Sequence, residues 1–192
     1  MTINDYPISR EQIVECVLRV ANELNEAFSI TYNPKYYWTH PTNDSTEWGC
    51  LYEREFRRRM NKLGVLRFEP GEHNSGEDLT CIDNPDFSME VKTSKSTRFW
   101  NTNSNSRTQE STKYKDPDKK TFYVMIKHKV TENDLGEAHT EVLKIYFGML
   151  SKNDWKNPNG SGAAYLMNDV INKNFELLYE VKEPRKPRTK KK

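Results

Sequence analysis

The chain is predicted to be an α/β protein, with helices packed on a central mixed β-sheet. Three observations lead to that class. Two apolar stripes at helical spacing occupy the first third of its 192 residues. Five or six stretches that read as strands follow them. No internal repeat interrupts the order, so helix, helix and then sheet belong to one domain.

Composition supports a single modest core. Hydrophobic residues are 34% and charged residues 30% of the chain, a balance that predicts long polar loops around that core. The expected division is one domain over residues 1–182 and a basic, disordered tail over residues 183–192.

The elements follow in order. Ser9, with Gln12 three positions on, can cap a first helix whose apolar positions are Ile13, Val14, Val17, Leu18, Ala21, Leu24 and Phe28. Residues 29–45 form an aromatic loop with two prolines. Asp44 and Glu47 open a second helix with the stripe Trp48, Tyr52, Phe56, Met60 and Leu63, and Gly64 ends it. "VLRF" (residues 65–68) then reads as a strand. After a loop rich in Gly and Glu, "DLTCI" and "FSMEV" read as two strands joined by the turn "DNP". A polar segment from Thr93 to Lys120 lacks apolar periodicity. Strong strands begin at Thr121 and Val142, a stretch of loop with some helix follows, and "FELLYEV" from Phe175 is the last strand.

Several function classes are disfavoured. No run is long enough and apolar enough for a membrane span, and the start "MTINDYPISREQ" lacks a signal-peptide pattern. Cys16, Cys50 and Cys81 contain no C-x-x-C, which fits reduced thiols in a cytoplasmic protein better than disulfides or zinc. The four histidines are scattered. The net charge of +2 hides a division: residues 182–192 contribute +6, leaving the other 181 at −4. Such a tail can contact phosphate without reading sequence.

The stretch "GEDLTCIDNPDFSMEVKTS" carries the chemistry. If residue 82 pairs with residue 87 across the hairpin, Asp78 falls opposite Val91 and meets Glu90 at the open end. Lys92 shares the face of Glu90, because strand side chains alternate. Asp86 is a decoy: four residues of strand separate it from Glu90 by about 13 Å, too far for one small cation to use both. A second E-V-K, at Glu180 to Lys182, has Asp169 eleven residues before it but no hairpin to join them.

Asp78, an eleven-residue gap and Glu90-x-Lys92 resemble the PD-(D/E)xK nuclease superfamily. The helix "GCLYEREFRRRMNKLGV" strengthens the likeness: it resembles the Gly-x-x-x-Glu helix that precedes the metal-binding hairpin of those nucleases, archaeal Holliday-junction resolvases included. Glu77 stands where the family usually has proline. The resemblance implies a restriction-endonuclease-like core, Mg²⁺ as cofactor, and Asp78, Glu90 and the carbonyl of Val91 as its ligands. It also implies that Lys92 holds or deprotonates the attacking water. Glu53, at the Gly49-x-x-x-Glu53 spacing, is the favoured additional carboxylate, with Glu55 as the alternative. Either could instead form ordinary helical pairs with Arg57 or Arg59.

The polar segment suits reading of double-stranded DNA. It supplies Lys95, Arg98, Asn101, Asn103, Asn105, Arg107 and Lys113, and arginine and asparagine pair bidentately with guanine and adenine in the major groove. A type II restriction endonuclease uses such a surplus, usually as a homodimer on a palindromic site and beside a cognate DNA methyltransferase. The alternatives are a junction resolvase or repair nuclease of the same fold, and a DNA-binding protein without catalysis.

Overall fold

The computed structural model describes residues 1–31, 45–71, 77–95, 99–103, 120–132, 134, 138–155 and 163–182. Helix α1 spans Arg10–Thr31 and α2 spans Ser45–Leu63. The start of α1 is closed reciprocally. Ser9 Oγ accepts the Gln12 N–H and Gln12 Oε1 accepts the Ser9 N–H, at 3.3 and 3.0 Å. Trp48, Tyr52, Phe56 and Met60 of α2 are fully buried, and Arg59 pairs with Glu23 to tie α2 to α1. Asp44, expected to open α2, lies outside the described residues. Gly64 adopts φ +72, the left-handed turn that releases the chain from the helix.

Strand β1 is Phe68–Pro70, three residues later than the sequence suggested. The reversal after α2 uses residues 64–67. Asn61 then clamps the strand, its amide bonding both the N–H and the C=O of Phe68 at 2.7 and 2.8 Å. The remaining strands are β2 (Leu79–Cys81), β3 (Met89–Ser94), β4 (Phe99–Asn103), β5 (Thr121–Glu132), β6 (Ala138–Leu150), β7 (Ala163–Met167) and β8 (Phe175–Glu180). Helix α3, Asn168–Asn174, lies between the last two. Six strands form one sheet in the order β1-β2-β3-β5-β6-β8. Only β3 and β5 are parallel neighbours in it; the other pairs are antiparallel. The sheet is therefore mixed, as expected.

Strands β4 and β7 pair separately, Asn101 opposite Tyr165 and Asn103 opposite Ala163. The sequence reading had placed both in irregular segments. Each is short, and its partner lies about sixty residues away, so no local pattern announces the pair.

Alternation along β5 sorts the core. Phe122, Val124 and Ile126 face α1 and α2 in the larger cluster. Tyr123 and Met125 face a smaller cluster with Leu150, Trp155, Leu166 and Ile171. Each large apolar side chain buried stabilises by about 1.5–3 kcal/mol, so the helix side dominates. On β6 an extra residue, Leu143, falls between the pairs Lys127–Lys144 and His128–Val142. This bulge resets the alternation, so that Val142 and Thr140 turn to the helices.

Thr140 then becomes a hub. Its Oγ1 lies 2.9 Å from Tyr52 Oη of α2 and 3.1 Å from His128 Nδ1 of β5. The Asn25 amide of α1 bonds its backbone N–H and C=O, at 2.7 and 2.9 Å. The buried polar groups of Thr140, Tyr52 and His128 thus have partners and fix both helices on the sheet.

Candidate active site

The β2–β3 hairpin places the carboxylates. Its turn is a single 3-10 turn over Pro85–Phe87, capped by Asn84, whose Oδ1 accepts the Asp86 N–H at 3.0 Å. Ser88 Oγ then accepts the Cys81 N–H at 3.0 Å. The turn and Ser88 occupy residues the sequence reading had assigned to strand, so β3 begins at Met89. The register is Leu79 opposite Met89, which moves Asp78 opposite Glu90, one residue from the expected Val91. Asp86 sits exposed at the turn, the far end of the hairpin.

With β2 ending at Leu79, the Val91 N–H has no ladder partner on that side and donates to Asp78 Oδ2 at 2.9 Å. Lys92 Nζ lies 2.7 Å from Glu90 Oε1 and 3.3 Å from Asp78 Oδ2. The Glu90 side chain is only 3% exposed, and those of Asp78 and Lys92 are 20% exposed. One ammonium therefore lies between two carboxylates at the start of β3.

Glu53 approaches this cluster from α2. Burial, and next the charge of Asp78, push its carboxyl up to about 7, against the opposing pull of Lys92 and Arg57. Glu55 points elsewhere, pairing with Arg54 and Arg58, each at 3.1 Å. The structure brings Glu53, and not Glu55, into the field of Asp78 and Lys92. Gly49, one turn earlier, makes the approach possible: a Cβ there would lie 3.4 Å from Thr93 Oγ1 of β3.

Among the described residues no three His, Cys, Asp or Glu side chains converge as a metal-binding group. The donors at hand are two carboxylates and the Val91 carbonyl, which points to the same strand edge as the Val91 N–H. All are hard oxygens, a set that fits Mg²⁺ or a similar cation and not zinc.

The other candidates separate. Asp169 is exposed in the first turn of α3, and Glu180 pairs with Lys144 on β6. Lys95 is exposed just past β3. Asn101 and Asn103 occupy β4. Arg98, Asn105, Arg107 and Lys113 lie outside the described residues, as do most of the aromatic loop and the basic tail. Cys16, Cys50 and Cys81 are all free thiols. No helix among the described residues is long and apolar enough to cross a membrane.

A pair of helices over a six-stranded mixed sheet, with a carboxylate–lysine cluster where β2 gives way to β3, is the frame of a restriction-endonuclease-like protein. The chain matches the family model described as ScaI restriction endonuclease over residues 2–178, and it belongs to that family. It is thus a DNA-binding, DNA-cleaving hydrolase of the type II restriction class, a class that typically uses divalent metal ions. Neither the curated proteins nor the solved structures include a significant match to it.

Proposed function

We propose that this type II enzyme cuts double-stranded DNA at a specific sequence with Mg²⁺, using Asp78, Glu90, Lys92 and Glu53. The observation that carries the reading is the position of Lys92 Nζ within 3.3 Å of both carboxylates, with Asp78 fixed by the Val91 N–H. Asp78, Glu90 and the Val91 carbonyl would hold the cation. When bound, it lowers the pKa of a coordinated water and neutralises charge on the scissile phosphate.

The protein's own groups do the rest. Lys92, beside both ligands, holds the attacking water and stabilises the charge that builds on phosphorus. The Val91 N–H keeps Asp78 in a single orientation. Glu53, with a carboxyl near neutrality, adds a group that can hold or release a proton at working pH. Lys95, Asn101 and Asn103, with Arg98, Asn105, Arg107 and Lys113, are the proposed DNA contacts. The working unit is proposed to be a homodimer on a two-fold site, accompanied by a cognate methyltransferase.

Incubation of purified protein with plasmid DNA and Mg²⁺ tests this. Discrete fragments are expected, and a smear or intact plasmid contradicts sequence-specific cleavage. Asp78→Ala and Glu90→Ala should each abolish cutting while retaining DNA binding in a gel-shift assay. Full activity in either variant removes that residue from the site.

A further inference from the structure

The face of the sheet turned away from α1 and α2 carries lysines that the hydrolytic site does not use. On that face β3 holds Glu90, Lys92 and Ser94, whose partners on β5 are Tyr123, Met125 and Lys127. Lys127 in turn stands directly opposite Lys144 of β6. Lys92, Lys127 and Lys144 therefore descend diagonally across three neighbouring strands. Lys127 is one strand over and two residues on from Lys92, about 8 Å between Cα atoms at strand spacings of ~4.8 Å and rises of ~3.3 Å.

This pairing is unfavourable in itself. Lysines directly opposite in an antiparallel pair have Cα atoms roughly 5 Å apart and repel each other. Lys127 is partly buried, and burial together with the charge of Lys144 lowers its pKa. Glu180 offsets some of that charge by pairing with Lys144 from β8. The next pair on the same face is complementary: Lys129 Nζ lies 2.6 Å from Glu141, its partner across the strands. The like-charged pair is the one nearer the carboxylates. A local rule broken at that place, and kept two residues away, marks a site that meets an anion.

We propose that Lys127 and Lys144 receive a phosphate of the DNA backbone neighbouring the one that is cut. The proposal rests on the cleavage site described above, since it takes the scissile phosphate to lie at Lys92. Each strand of a duplex carries a phosphate per about 3.4 Å of axis, so a stripe about 8 Å long reaches beyond the reacting group to the next ones. Contacts of this kind read no sequence; they set where the backbone lies.

The full-length protein is titrated with a short random-sequence duplex in EDTA over a range of salt. Lys127→Met, Lys127→Arg and Lys129→Met are compared with it. Methionine keeps the partly buried stem and removes the charge. For Lys127→Met the slope of log affinity against log salt should shrink by about 0.9, one phosphate contact. Across a fourfold rise in salt that variant then loses about 3.5-fold less affinity than the parent. Its Tm should equal or exceed the parent's, because the repulsion with Lys144 is gone. Lys127→Arg should restore the slope, and Lys129→Met should leave it unchanged. An unchanged slope in Lys127→Met, or an equal loss in Lys129→Met, overturns the proposal. A lowered Tm with an unchanged slope also overturns it and makes Lys127 a folding residue. A parent protein that binds no duplex at all sinks the DNA-cleaving reading itself, an outcome distinct from these.

Discussion

Lys92 stands where a cation would meet two carboxylates, 2.7 Å from Glu90 and 3.3 Å from Asp78. Its positive charge makes their closeness tolerable, and it competes with a metal for the same oxygens. Lys92→Ala should therefore bind Mg²⁺ at least as tightly by calorimetry, while cleavage slows by roughly 10²–10³-fold, the usual loss for one removed transition-state donor. Weaker metal binding would make Lys92 structural. His128 offers a second test. Burial, and then the charge of Lys95, lower its pKa from 6.5 to about 4. Between those values the unfolded chain binds the proton that the folded one refuses, so stability rises with pH through that window. The Tm should climb from pH 4 to 6.5, and His128→Gln should flatten the climb even if it lowers the whole curve. A flat curve in the parent would show that His128 is not held neutral.

The elements meet the sheet at two glycines with opposite tolerances. A Cβ at Gly148 of β6 would lie 2.3 Å from the Asn174 carbonyl and 2.6 Å from the Phe175 ring, where α3 turns into β8. The backbone there has no room to give, so Gly148→Ala should lose about 1–3 kcal/mol, as overpacked sites do. At Gly49 of α2 the nearest atom to such a Cβ, Thr93 Oγ1, is at ordinary contact distance, 3.4 Å. Gly49→Ala should keep activity and gain up to about 1 kcal/mol, because alanine is the better helix former. Urea denaturation of both variants checks the contrast, and equal stabilities would contradict it. The α2 stripe was legible because every fourth residue or so is apolar and buried. Its polar shoulder was not: Glu53 and Glu55 flank that stripe, and only packing against β3 shows which one feels Asp78.

Across the whole molecule, charge is divided between an acidic body and residues 183–192, which hold six basic residues and one acid. Deleting that segment should weaken binding to cognate and random duplexes about equally and reduce the salt dependence. A loss confined to the cognate duplex would make the tail part of the reader. By itself the sequence determined the α/β class, both long helices, the strong strands from Thr121 and Phe175, and the proximity of Asp78, Glu90 and Lys92. These depend on periodicity and on a short hairpin, both local in the chain. Tertiary structure decided what depends on distant partners. It moved the hairpin register by one residue, because the Pro85–Phe87 turn consumes strand. It paired β4 with β7 and joined Tyr52, Thr140 and His128 across 88 and 12 residues of chain. It also set Lys127 against Lys144. Side-chain alternation is written in sequence, but which strand lies beside which is settled only when the sheet closes on its core.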